Sequence, residues 1–335
     1  MNMWWLLVVG GVLSFLLTAC VRRYALSRSL LDVPNERSSH TVPTPRGGGV
    51  SIVVSFLSLL ALFGLLSDVE HTIWWGLLGA GAITACIGFL DDHGHIPARW
   101  RLLAHFASAV WALFWLDGFS AVSILGYSFP VGPVILILAA FYLVWMLNLY
   151  NFMDGIDGIA SVEAVSVVLC GGMLYWLSGH ADMALIAMLL ASAVLGFLLW
   201  NLPPAKIFMG DAGSGFLGMT LGVMSLQAAT VSSNLLWAWL ILLGVFIVDA
   251  SLTLLHRLIR GEKVYQAHRM HAYQHAALKY GHARVTGATL IVNVLWLFPM
   301  ACVAAFGPID GVACLLIAYI PLLWLGFRFR AGLPN

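Results

Sequence analysis

The chain has 335 residues, 61% of them hydrophobic and 9% charged, with a formal net charge of +1 and a mean hydropathy of +0.94. A soluble domain carries about 25% charged residues, so the composition excludes a soluble globular protein and predicts an all-α polytopic integral membrane protein. The net charge specifies no partner by itself, and no nucleic-acid partner is expected.

A membrane-crossing helix needs about 17–25 apolar residues. Eleven runs meet or approach that length, over residues 3–21, 48–67, 73–90, 102–117, 133–150, 158–177, 183–200, 214–231, 235–255, 286–306 and 309–327. The fourth is short. The first resembles the apolar core of a signal peptide, but no basic residue precedes it and Arg22 and Arg23 follow it. That is the reverse of a secretory signal and predicts an uncleaved first helix with its N-terminus outside. Connecting segments 22–47, 91–101, 151–157, 201–213, 256–285 and 328–335 hold all sixteen Lys and Arg residues; the alternate segments hold none. The positive-inside rule places the basic set in the cytoplasm, with the C-terminus inside. The five cysteines lie in apolar runs without a CxxC pair, so they suggest packing residues and neither a disulfide framework nor a metal site. With no internal repeat and no long polar tract beyond 22–47 and 256–285, residues 1–335 form one membrane domain.

The acidic residues sharpen this picture. Asp91, Asp92, Asp154, Asp157 and Asp211 fall at cytoplasmic helix ends. Asp68, Glu70, Asp117, Asp182 and Asp310 fall at outer ends, where a solvated cap explains them. Asp249 and Glu163 lie within spans, and Asp249, about two turns from the inner end, is placed to face an inner cavity. Inserting a carboxylate near mid-bilayer costs roughly 2.5–3.5 kcal/mol, which makes intramembrane carboxylates candidates for function.

Five polar clusters follow along the chain. Residues 37–49 contain Arg37, His40 and Arg46 among two prolines and three glycines, an irregular loop with cations for anionic groups. Asp91 and Asp92 are adjacent carboxylates that need a divalent cation, Arg99 or Arg101, or water as counter-charge; Mg²⁺ takes one or two carboxylates plus substrate phosphates. Asn148, Asn151 and Asp154 recur every three residues, so on a helix they share a face that Asp157 extends. Lys206 to Gly215 places Asp211 at the start of a helix rich in small residues, suited to phosphate or to a simple N-cap. His268, His271 and His275 are spaced i, i+3, i+7, so one helical face would present all three. All five clusters fall on one membrane face. Carboxylates for a hard cation, with cations and amides for phosphates, point to phosphoryl transfer at the inner membrane surface.

In this order, the P-T-P-R-G-G-G loop, the L-D-D pair, N-F-M-D-G-I-D-G, F-M-G-D-A-G-S and the late histidines resemble the polyprenyl-phosphate N-acetylhexosamine-1-phosphate transferases, over nearly the whole chain. The forms R-S-S-H-T-V-P-T-P-R-G-G-G and A-H-R-M-H-A-Y-Q-H look most like the branch that initiates lipopolysaccharide O-antigen. The histidine segment departs from the H-H-H pattern of the muramoyl-pentapeptide enzyme, against a peptide-bearing sugar. The resemblance implies transfer of an N-acetylhexosamine 1-phosphate from a UDP-sugar to undecaprenyl phosphate, with release of UMP, at the cytoplasmic face of the bacterial inner membrane. The sugar would be GlcNAc or a 6-deoxy relative (QuiNAc, FucNAc). It further implies Mg²⁺, with Mn²⁺ as a substitute, and a homodimer. Asp211 would be the leading metal ligand, with Asp91 and Asp92 at the metal and lipid-phosphate end. Asp154 and Asn151 would lie at the nucleotide-sugar site, Phe208 near the uracil, His268 and His271 at the diphosphate, and Arg46 and His40 at substrate anions. Asp157 would organise the site or cap the next helix. If a general base acts, Asp92 is the first candidate and Asp91 the second. The competing class is a secondary transporter with a carboxylate-lined cavity. That reading calls for charges near mid-membrane and half-to-half symmetry, neither of which the sequence displays.

Overall fold

The computed structural model describes residues 3–34, 42–67, 71–94, 96–116, 121–130, 132–263 and 268–334. His40 and Arg37, and the outer acidic residues Asp68, Glu70 and Asp117, lie outside the described residues.

All eleven predicted runs are helical. In chain order they are α1 (Trp5–Ser27), α2 (Val50–Leu66), α3 (His71–His93), α4 (Ala98–Trp115), α5 (Pro133–Met153), α6 (Ile159–Leu177), α7 (Ala181–Asn201) and α8 (Asp211–Val231). The ninth run is a bent pair, α9 (Ser233–Leu242) and α10 (Gly244–Ile259), joined at 71°. A short helix α11 (Ala272–Tyr280) follows. The tenth run is α12 (His282–Val292), a π-helical turn (Asn293–Leu297) and α13 (Phe298–Phe306); the last is α14 (Gly311–Arg328). Two small antiparallel ribbons complete the described chain: β1 (Leu31–Asp32) with β2 (Thr44–Pro45), and β3 (Ala121–Ile124) with β4 (Tyr127–Pro130).

The count of eleven spans is refined by length and composition. Eight helices among the described residues are long and apolar enough to cross a membrane, nine with the bent pair. Of the other two predicted spans, α2 has 17 residues and α4 carries Arg99 and Arg101 in its first turn. The π turn has a local cause. Pro299, at the start of α13, has no N–H to return to the preceding turn, and the helix widens there.

The core is organised around α6, α7 and α8. An all-round buried helix belongs to an interior, and α8 buries nearly every side chain from Ala212 to Ala229. Small residues allow this. A Cβ on Gly218 would stand 2.6 Å from the Met146 carbonyl and 2.7 Å from Tyr150 Cβ, so glycine lets α5 and α8 approach backbone to backbone. Asp310 accepts from the Val312 amide at 2.9 Å and caps α14, as expected of an outer-end carboxylate.

Candidate active site

The polar clusters meet at one end of the bundle, around the N-terminus of α8. Asp91 and Asp92 sit in the last turn of α3. The loop before α2 lies beside the segment before α8: Phe208 N donates to Pro45 O at 2.8 Å, Gly48 N to Phe208 O at 2.9 Å and Gly49 N to Met209 O at 2.8 Å. The glycines are needed for this approach. A Cβ on Gly49 would collide with Gly213 and Met209, and one on Gly88 would stand 2.7 Å from the backbone of Ala212.

Asp92 is buried, and both its oxygens are engaged. Oδ1 accepts from the Asp211 amide and Oδ2 from the Ala212 amide, each at 3.2 Å. These are orphan donors of the first turn of α8. Gly210, the N-cap residue, supplies no side chain, so a carboxylate from another helix does the capping. Arg46 Nη2 donates to the Asp92 carbonyl at 2.6 Å, which ties the glycine loop to the end of α3. The phosphate-binding role that the sequence suggests for this helix end is therefore taken, at two of its amides, by an internal anion.

Asp91 accepts from the Ile96 amide at 3.0 Å and forms an ion pair with Arg101. The same guanidinium nitrogen stands 3.8 Å from Asp211 Oδ2. Arg101 thus bridges the two carboxylates and is the counter-charge that Asp91 requires. The Asp211 side chain is 36% exposed and opens to the site.

Asp154 follows the last residue of α5. Its carboxylate accepts no hydrogen bond among the described residues. Burial pushes its carboxyl well above the usual range, and the neighbouring carboxylates of Asp211, Asp92 and Asp157 push it further. Asn151 is half-buried one turn earlier, and Asn148 donates back to the Val144 carbonyl at 2.7 Å. Asp157 has a different position from its row-mates. It accepts from the Ala205 amide at 3.1 Å and lies 3.3 Å from His282 Nδ1, while its carbonyl accepts from Thr286 at 2.8 Å. It fastens the α5–α6 turn to α12 and to the loop before α8. It does not cap α6, whose N-cap is Gly158.

Phe208 and Asp157 line a cavity of about 610 Å³ together with Thr44, Pro204, Tyr280 and Arg284. Its half-buried aromatic ring suits a flat heterocycle.

The histidines do not share a helical face. α11 begins at Ala272, so His271 is its N-cap residue and His268 lies before it, leaving only His275 inside the helix. The rings of His268 and His271 stack instead, with centroids 4.9 Å apart. Asp249 explains the arrangement. Its Oδ1 accepts from the Ala272 amide and its Oδ2 from the Tyr273 amide, both at 2.9 Å, and Oδ1 lies 3.4 Å from His271 Nδ1. Asp249 therefore caps α11 and holds His271, a role that its position in a span did not reveal. Tyr273 Oη donates to the Phe152 carbonyl at 3.0 Å, which joins the histidine segment to the end of α5.

The buried His271 Nε2 and His268 Nδ1 carry no hydrogen bond among the described residues. Burial lowers the His268 pKa from 6.5 to about 4, with further lowering from His271 and Arg257. Its folded pKa is depressed, so in the window between those values the unfolded chain binds the proton first. Stability is then lost as pH falls from 6.5 towards 4. Substitution His268→Gln is expected to flatten this part of the stability profile, measured as melting temperature against pH beside the parent. An unchanged slope would remove His268 from the account.

The donor set fits a hard divalent cation. Asp211 and Asp154 offer carboxylate oxygens that are not saturated by protein donors, whereas Asp92 is committed to amides. Among the described residues no three His, Cys, Asp or Glu side chains form a closed metal cage. An open set of one or two carboxylates is what Mg²⁺ uses when substrate phosphates complete its shell.

Comparison with known proteins agrees with this architecture. The family model for glycosyl transferase family 4 matches residues 74–229, a segment that contains Asp91, Asp92, Asp154, Asp157 and Asp211. A Bacillus subtilis (strain 168) protein described as "Probable undecaprenyl-phosphate N-acetylglucosaminyl 1-phosphate transferase" is 28% identical over 314 residues, covering 89% of this chain and 84% of the relative. A phospho-N-acetylmuramoyl-pentapeptide-transferase of Streptococcus pyogenes serotype M6 is 29% identical over 272 residues, covering 75% of this chain and 80% of the relative. The matched segment includes the carboxylates at the end of α3, after α5 and at the start of α8: the chain is similar to glycosyl transferase family 4 over residues 74–229.

Proposed function

We propose that the protein transfers an N-acetylhexosamine 1-phosphate from a UDP-sugar to undecaprenyl phosphate, giving undecaprenyl-diphosphate-sugar and UMP, at the cytoplasmic face of a bacterial inner membrane. The observation that carries this reading is the convergence of Asp91, Asp92, Asp154 and Asp211 with Arg46 and Arg101 on one end of the bundle. The names of the relatives supply the substrate class. GlcNAc or a 6-deoxy N-acetylhexosamine is the proposed sugar, and a lipopolysaccharide O-antigen or a related envelope glycan the proposed product line. The working form is a homodimer.

In this reading an oxygen of the lipid phosphate forms a bond to the β-phosphorus as the bond from that phosphorus to the bridging oxygen of UMP breaks. A phosphate monoester has a second pKa near 6, so the nucleophile is mostly dianionic at neutral pH and direct displacement needs no protein base. The geometry supports this: Asp92 is occupied as a cap and Asp91 by Arg101 and the Ile96 amide. Asp211 and Asp154 are the residues proposed to hold Mg²⁺, which when bound would neutralise charge on the diphosphate. Arg101 keeps Asp91 and Asp211 in place, and Arg46 holds the glycine loop against α3. Phe208 takes the uracil, Asn151 adds an amide to the nucleotide-sugar side, and the free nitrogens of His268 and His271 face the diphosphate.

The test is UMP release by purified protein with undecaprenyl phosphate, across a panel of UDP-N-acetylhexosamines, with and without Mg²⁺. Release is expected to require both lipid and Mg²⁺ and to name the sugar. No release from folded protein with any sugar would favour the transporter reading, to be followed by uptake into proteoliposomes. Radiolabelled sugar trapped on the enzyme without lipid would replace direct displacement by a covalent aspartyl intermediate.

A further inference from the structure

The two irregular spans of the bundle converge on Glu163, a carboxylate outside the site described above. Glu163 is fully buried in α6, and Asn293, the first residue of the π turn, is 1% exposed. Asn293 Nδ2 donates to Glu163 Oε2 at 2.6 Å and to Ser166 Oγ at 2.8 Å. The backbone amide of Phe246, in the first turn of α10 just after the 71° break, also faces the carboxylate. Broken backbone within a membrane is tolerated only where its polar groups find partners in the protein or in a cavity. Here both breaks are turned toward one side chain.

The hydrogen-bond inventory of this cluster is short by one donor. Glu163 Oε1 and Asn293 Oδ1 are both buried acceptors with no partner among the described residues. An ionised carboxylate has only acceptors and would leave both oxygens bare. A neutral carboxylic acid brings one O–H. An acid and a primary amide pair as a ring of two hydrogen bonds, N–H to one acid oxygen and O–H to the amide oxygen. The first of these bonds is present, and the two unpartnered oxygens are the ends of the second.

We propose that Glu163 is a proton-binding site, a carboxylic acid whose O–H donates to Asn293 Oδ1 and locks α6 to the π turn beside the break before α10. The proton comes from water and resides on Oε1. The other titratable groups facing the cluster are the phenols of Tyr150 and Tyr319. Each donates its own proton to a carbonyl, of Ala160 at 2.6 Å and of Leu240 at 2.7 Å, so neither competes for the Asn293 oxygen. No Lys, Arg or His among the described residues acts on Glu163. The lock bears on the working end of the molecule, because Asp249 lies one turn beyond Phe246 on α10 and holds His271.

The test is infrared spectroscopy of the full chain in nanodiscs at neutral pH, as the difference between the parent and Glu163→Gln. Gln can close the same ring with an N–H in place of the O–H. The expected difference is loss of a protonated-carboxyl C=O band that shifts in heavy water, with a melting temperature within about 3 °C of the parent. Loss of a carboxylate band instead would overturn the proposal. So would a variant that fails to fold, since a charge would then be required. A parent melting temperature that rises in Na⁺ over K⁺ at constant ionic strength would replace the proton by a metal cation.

Discussion

Asp211→Asn is expected to lower UMP release by about 10³-fold, the upper range for removal of one electrostatic stabiliser from a site of charge transfer, while the bundle stays folded. The structure separates the two outcomes. The Asp211 carboxylate is partly exposed, and its cationic neighbour Arg101 remains paired with Asp91 when Asp211 becomes neutral. The Asp92 cap on α8 is made by backbone amides, those of Asp211 and Ala212, which the substitution leaves untouched. The melting temperature should therefore move little. Activity is read as UMP release at saturating lipid over a range of Mg²⁺ concentrations. Parent-like turnover would take Asp211 out of the chemistry. Loss of turnover together with a large drop in melting temperature would make its role one of folding.

Asp92→Ala should lose both activity and stability, and Asp92→Asn should recover part of both. Alanine leaves two buried first-turn amides without acceptors. A lost cap costs about 0.5–2 kcal/mol and an unsatisfied buried group about 1–3 kcal/mol, so a destabilisation of about 2–4 kcal/mol is expected. Turnover should fall about 10²-fold, because Asp211 is carried on the turn that is released. Asparagine keeps one acceptor oxygen and therefore one of the two bonds. Thermal melts and UMP release on both variants provide the check. If Asp92 acted as a general base, the two variants would be equally inactive, and asparagine would recover stability alone.

The sequence makes the membrane domain and the identity of the polar clusters legible because both are local. A run of apolar residues specifies a span by its own length, and Asp91, Asp92, Asp154 and Asp211 stand out because charge at a span end is costly. The roles of individual carboxylates are not local. Asp92 caps a helix that starts 119 residues later, and Asp249 caps one 23 residues later across a turn; neither leaves a spacing pattern. The i, i+3, i+7 histidine spacing is real, but Asp249 fixes the start of α11 at Ala272, after two of the three. Asp157 shares the three-residue period of Asn151 and Asp154, yet the chain leaves the helix at Asp154 and the period ends with it. The Glu163–Asn293 pair is separated by 130 residues, and only the polar character of each residue within a span hints at it.

The cap that Asp92 places on α8 also has a consequence for biosynthesis. At about 5–20 residues per second of translation, the amides that Asp92 requires emerge about 6–24 s after Asp92 itself. Asp91 has a partner much sooner, since Arg101 is only ten residues on. The nascent chain thus holds one carboxylate of the pair neutralised early and the other without its amides until α8 begins to emerge. A ribosome stalled before Asp211 would leave a membrane intermediate whose third span ends in an uncapped anion, free to slide toward water, and the finished α8 is what draws it back.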